Sequence, residues 1–360
     1  MKLHSKIQSL LLPATVAAIC LSLSGCGDTL DYSNVQINNG KIYAAGANTP
    51  FSGAVTNLPF TTVFGSQQGL GHVLNVIGSA RPATTSAELG MTAICDAHAH
   101  DGLLDGKVTC KAPQSETVRI EAKFSDGALD GPFTVNDETG NNTFVELSFK
   151  NGAPDGKMKI NSPKTGKLVH VASWDAGVLS GDEKGFDETT GNRLLHATLA
   201  NGKYEGEFTR YAPDGNQIIY KANFLQGQHD GDEESFDPQT GKMTGQAHYS
   251  NGKLNGLAQA WDSTGKLIAE KTYDNGIDVE AAKEEQAKKD AAQAQMAILN
   301  SPAVTDCVHN FEGEYMKRNA GAGIYNDMMI GEWRTQCQQQ ALAAQSQGAQ
   351  STPPQNTSAQ

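Results

Sequence analysis

The chain has 360 residues, a formal net charge of −12 and 38% hydrophobic residues beside 38 glycines. The length allows one large or two modest domains, and the charge excludes a nucleic-acid partner, because a phosphate backbone needs clustered Lys and Arg. The glycine content and modest apolar share predict a thin core spread over many turns.

Lys2 and Lys6 precede an apolar run from Leu10 to Leu23, broken mildly by Pro13. The run is shorter than the roughly 20 apolar residues of a membrane-spanning helix and suits a secretory signal. Leu23-Ser24-Gly25-Cys26 follows. It resembles the lipobox of bacterial lipoprotein precursors. The resemblance implies a signal peptide over residues 1–25, a mature N-terminus acylated at Cys26 (palmitate among its chains), and a tether over 26–34. Gly27, where Asp would retain the protein at the inner membrane, implies sorting to the outer membrane. Several chains anchor firmly, since each buried CH₂ contributes about 0.8 kcal/mol and one chain holds weakly.

Residues 35–99 are the first folded stretch. Val35–Val55, with Asn38-Asn39-Gly40-Lys41 and Pro50-Phe51-Ser52-Gly53, reads as a degenerate first repeat or a cap. Residues 56–94 form an insertion with no clear assignment. Asp96-Ala97-His98-Ala99-His100-Asp101 places two imidazoles on one strand face, a pattern that can bind zinc. It is similar to the first-strand motif of metal-dependent amidohydrolases. That chemistry needs a (β/α)₈ barrel with further ligands from other strands, whereas short hairpins follow here. The expectation is a solvated strand, with no catalytic residue, no metal and no cofactor.

Residues 100–277 repeat. A Gly-x-x-x-Gly pair begins at Gly102, Gly127, Gly152, Gly177, Gly202, Gly227 and Gly252, each 25 residues after the last, and Gly276 closes the series. Three residues before each glycine from Gly127 stands a bulky apolar side chain: Phe124, Phe149, Trp174, Leu199, Phe224, Tyr249, Tyr273. Two residues earlier lie Ala172, Ala197, Ala222 and Ala247, the period of two of a strand with one buried face. A second aromatic row falls nine residues after the glycine, at Phe186, Tyr211, Phe236 and Trp261. Asn-Gly and Asp-Gly steps supply the positive φ of tight hairpins. Each unit is therefore two antiparallel strands and two turns, with the aromatic row as core and the opposite face solvated. Carboxylate pairs such as Asp182-Glu183 and Asp232-Glu233-Glu234 are expected as acidic decoration of exposed strands.

Tyr249-Ser-Asn-Gly-Lys-Leu-Asn-Gly256, continuing to Trp261-Asp-Ser-Thr-Gly265, resembles the bacterial variant of the MORN repeat (membrane occupation and recognition nexus). The resemblance covers about residues 100–277. It implies a mainly β fold: an elongated array of antiparallel β-hairpins. Chains of this sort are often labelled antitoxins. Ala176 and Gln226 replace the Asn or Asp of the turn and leave its type open there.

Residues 278–342 are expected to be helical. Val279 to about Asn300 carries Ala, Glu, Gln and Lys without Gly or Pro. Pro302 should break that helix, and a pair over Val304–Arg318 and Ile324–Gln340 should form an α-helical hairpin that caps the last open strand. Residues 343–360, Gln-, Ser-, Thr- and Pro-rich, are expected to be disordered.

Six cysteines are present. With Cys20 removed and Cys26 acylated, Cys95, Cys110, Cys307 and Cys337 remain, an even number in an oxidising compartment. Three pairings are open, and the local one, Cys95–Cys110 with Cys307–Cys337, is expected. The functional expectation is an outer-membrane lipoprotein, facing the periplasm or the exterior, that binds an envelope protein or acts as a scaffold. The alternatives are a periplasmic immunity or antitoxin-like protein and a structural cell-wall lipoprotein.

Overall fold

The computed structural model describes residues 28–319 and 324–349. The expected signal peptide, the lipidation site Cys26 and most of the expected tail lie outside the described residues. The fold is mainly β: a long antiparallel sheet of many hairpin strands, followed by a helical segment. The chain forms two compact units. One holds the described residues up to Gln228 with Ser235–Gly241. The other holds His229–Glu234 with the residues from Lys242 onward.

In the first unit, Thr29–Asp31 pairs in parallel with Gly53–Pro59. Val35–Asn38 and Lys41–Ala44 make a separate two-stranded hairpin turned by Asn39 and Gly40. From Gly53–Pro59 the sheet steps antiparallel to Ile94–His100, then to Gly106–Lys111 and Val118–Ser125. It continues strand by strand through Leu168–Asp175, Gly181–Phe186, Arg193–Ala200 and Gly206–Tyr211 to Ile218–Leu225. At Asn201-Gly202 both residues have positive φ, 51° and 75°, which suits the right-handed twist of the flanking strands. Ala176 and Gln226 adopt the same conformation, φ 46° and 51°, so the turn is kept where its usual residue is missing. Each turn is tied to the preceding one. Gly152 N donates to Leu129 O at 2.7 Å, Gly177 N to Pro154 O at 2.8 Å and Gly202 N to Leu179 O at 2.8 Å. Neighbouring periods thus hold one another, as in any solenoid.

The unassigned stretch 56–94 contains two helices, α1 (Phe60–Phe64) and α2 (Gln68–Ala80). Leu70, Val73 and Ile77 form the buried stripe of α2, at the spacing of one helix face. Phe64 packs on Phe124 and Phe133, with ring centroids 5.9 and 5.8 Å apart. Gly69 approaches the Gly152 carbonyl so closely that a Cβ would sit 2.0 Å from the oxygen. Gln67 grips the neighbouring turn: Nε2 donates to Gly127 O at 3.0 Å, and Oε1 accepts from Leu129 N at 3.1 Å. Beneath these helices the aromatic row is core, with Phe124, Phe149 and Trp174 all buried.

In the second unit, Met243–Ser250, Gly256–Trp261 and Leu267–Asp274 pair antiparallel. Tyr249, Trp261 and Tyr273 are only half-buried, which corrects the expectation that the whole row is core: among the described residues no apolar layer like that of α2 buries them. Helix α3 (Val279–Leu299) starts at Asp278, whose carboxylate accepts from Glu280 N and Ala281 N. Helix α4 (Pro302–Arg318) uses Pro302 as its first residue, where the missing N–H costs nothing. Helix α5 spans Asp327–Ala349. It begins later than expected and runs seven residues, 343–349, into the segment expected to be disordered, because Ala and Gln sustain a helix. Val304, Val308 and Cys337 form the small core between α4 and α5. Leu267–Asp274 stays exposed along nearly its whole length, with Ile268 64% exposed. The helices therefore do not cap that strand: α3 departs from it after Asp278 and buries no residue of its own.

Candidate functional site

Cys95 and Cys110 stand opposite each other on adjacent strands, both fully buried, and form a disulfide. Cys307 and Cys337 bond α4 to α5. The repeat glycines Gly102, Gly127, Gly152, Gly177, Gly202, Gly227, Gly252 and Gly276 all have positive φ at hairpin turns. His98 and His100 point from Ile94–His100 into solvent. No group of three or more metal-ligating side chains assembles among the described residues.

The chemistry gathers elsewhere, where the repeat changes its core. Seven residues before the turn glycine the early periods carry Ile120 and Val145. Six residues after it they carry Val108, Phe133 and Met158, and eight after it Cys110, Val135 and Ile160. All are buried. In the period of Gly177 these positions become His170, Glu183 and Gly185. The three changes meet in space. His170 is the direct cross-strand partner of Gly185, and Glu183 follows two residues earlier on the same face, opposite buried Ala197.

Because Gly185 has no side chain, the volume filled by Ile160 one period earlier is open. A cleft of about 790 Å³ results, within the 300–1,000 Å³ typical of small-ligand sites. Phe186, Leu195, Leu199 and Tyr204 line it, and Val76 and Ala80 at the end of α2 close one side. His170 is buried, only 7% exposed. Its Nε2 lies 3.3 Å from Glu183 Oε1, near enough for an ion pair, yet it makes no hydrogen bond. The Tyr204 hydroxyl hydrogen-bonds to Glu183. Burial, and then the negative charge of Glu183, push the Tyr204 hydroxyl up to about 12. A carboxylate therefore sits in an apolar cleft, between a phenol and an imidazole nitrogen that makes no hydrogen bond.

Glu183 corrects the expectation of acidic decoration. Its neighbour Asp182 faces outward and pairs with Lys184 at 2.8 Å. Glu183 turns inward, with its side chain 15% exposed, because successive residues of a strand alternate faces. The signal that would have found the site is the phase of the repeat: three core positions change chemistry within one period. Beyond the cleft, Tyr204, Phe208, Tyr220 and Phe224 form a ring cluster with centroids 5.1 to 6.1 Å apart, all half-buried.

No family model matches the chain, and no curated protein matches it.

Proposed function

We propose that this chain is an outer-membrane lipoprotein, anchored through Cys26, that acts as a protein-binding or scaffold module through its β array rather than as an enzyme. The anchor reading rests on Leu23-Ser24-Gly25-Cys26 and the apolar run before it. The binding reading is supported above all by one observation. The apolar face is sealed under α1 and α2 as far as Trp174, and then carries the half-buried cluster Tyr204, Phe208, Tyr220 and Phe224. Aromatic side chains presented this way are the residues enriched at protein interfaces.

Crosslinking in intact cells, followed by affinity purification and mass spectrometry, tests the reading. One strongly enriched envelope protein, lost when Phe208 and Phe224 are both replaced by Ser, is the expected result. Broad recovery of abundant envelope proteins, unchanged in that variant, overturns it and favours a structural role at the cell wall. Cys26→Ser should move the protein from the membrane fraction to the soluble one.

A further inference from the structure

We propose that the cleft at His170, Glu183 and Gly185 is a binding site for an organic cation, an alkylammonium or guanidinium group on a short apolar stem. The site stands independently of the protein-binding reading above.

The first support is the coincidence of three changes. A single polar residue at a core position is a packing accident that a chain can carry. Here one period loses an aliphatic side chain at Gly185, gains a carboxylate at Glu183 and gains an imidazole at His170, and all three face the same open volume. In the preceding period the matching residues, Val145 and Ile160, face each other and leave no gap.

The second support is charge. A carboxylate removed from water is costly unless a partner compensates it. Glu183 accepts from the Tyr204 hydroxyl, and among the described residues the one basic group within ion-pair distance is His170, whose Nε2 makes no hydrogen bond. Of the neighbouring lysines, Lys184 pairs with Asp182 at 2.8 Å and Lys221 with Glu207 at 3.0 Å, and Lys203, which also lines the cleft, is exposed and lies outside ion-pair distance of Glu183. The cleft thus holds a negative group with no lysine or arginine within ion-pair distance among the described residues, and aromatic walls from Phe186 and Tyr204. Carboxylate and aromatic ring together are the pairing that selects ammonium and guanidinium ions. The apolar walls, Leu195 and Leu199 among them, suit the stem. The unpartnered His170 nitrogen offers a polar contact beside it.

The test is calorimetric titration of the purified full chain with n-butylammonium and n-butylguanidinium, with n-butanol and n-butyrate as isosteric controls. Saturable one-to-one binding of the cations, at least tenfold tighter than butanol and absent for butyrate, is expected. The near-isosteric variant Glu183→Gln should weaken the cations at least tenfold while near-ultraviolet circular dichroism stays unchanged. Gly185→Val should abolish binding by filling the cleft. N-acetyl-lysine methylamide separates the sources: binding as tight as the free amine assigns a basic side chain of a polypeptide, and weaker binding assigns a small amine. Butanol binding as well as butylammonium, full affinity in a folded Glu183→Gln, or no saturable binding by either cation overturns the proposal.

Discussion

His170 and Gly185 face each other across two adjacent antiparallel strands, and the second has no side chain with which to cover the first. One and two periods earlier the same register joins Val145 to Ile160 and Ile120 to Val135, all buried. The cleft is therefore an ordinary core layer with its middle removed.

Restoring that layer should raise stability. The triple variant His170→Val, Glu183→Met and Gly185→Ile gives this layer the residues of the preceding period, Val145, Met158 and Ile160, and replaces the buried carboxylate, the imidazole and the empty volume with apolar packing. About 1–3 kcal/mol of stabilisation is expected, the value of burying one aliphatic side chain. A Cβ at position 185 meets Leu195 Cβ at 3.2 Å, so Leu195 must yield slightly and the lower end is the safer figure. Urea unfolding read by circular dichroism checks this; a midpoint at or below that of the parent would show that the layer cannot be rebuilt. A gain in stability with loss of cation binding is the usual exchange at a functional site.

Tyr204 should titrate apart from the other tyrosines. Burial first, and Glu183 second, hold its hydroxyl at about 12 against an ordinary 10.0. Raised in the folded state, this group contributes full stability below pH 10. That contribution is lost as pH rises from the unfolded value through about 12. An ultraviolet phenolate titration of the parent and of Tyr204→Phe should differ by one late-titrating group. In Glu183→Gln that group should move partway back toward the ordinary value, since burial remains. A difference spectrum centred at the ordinary value would refute the assignment.

Ala176, like Gln226, is a weak point among the turns. It holds φ 46° without the Asn or Asp present at Asn151 and Asn201. A residue with a Cβ in the left-handed region costs roughly 1–2 kcal/mol, and Asn tolerates it best. Ala176→Asn should therefore stabilise the chain by about 0.5–1 kcal/mol. Thermal unfolding decides it: an unchanged or lower midpoint would mean that Asp155, which accepts the Ala176 N–H at 3.3 Å, already supplies the missing interaction.

The Cys95–Cys110 bond closes a loop of 15 residues between paired strands. Replacing both cysteines by Ala should cost about 3 kcal/mol from loop closure alone, and more from the lost core volume. Denaturant unfolding of the double variant measures the sum. A loss below about 1 kcal/mol would mean that strand pairing alone holds the two segments in the unfolded ensemble.

What was legible in the sequence was whatever obeys a local rule. Asn201-Gly202 announces a hairpin because Asn-Gly and Asp-Gly are the pairs that most readily accept two positive φ angles in succession. The antiparallel array follows from the constant spacing of such pairs. Helix α2 was hidden for the opposite reason. Gly69, Gly71 and Gly78 are poor helix residues, and what holds them helical is packing on strands far away in sequence. Gly69 in particular is required by the backbone of Gly152, a contact that no local pattern encodes. Glu183 was hidden by its neighbours. In the run Gly181-Asp182-Glu183-Lys184 every side chain looks suited to water, and only the pleat phase, counted from Gly177, turns one of them inward.

Helix α2 also acts as a ruler. Gln67 is bonded at the Gly127 turn, and Gly69 abuts the Gly152 turn, so the helix gauges one period and can be seated at only one place in the series. Duplication or deletion of a whole 25-residue copy beyond the cleft leaves that seat untouched. The same event between Gly127 and Gly152 unseats the helix. A change in repeat number is therefore compatible with the seat of α2 only on the C-terminal side of the array.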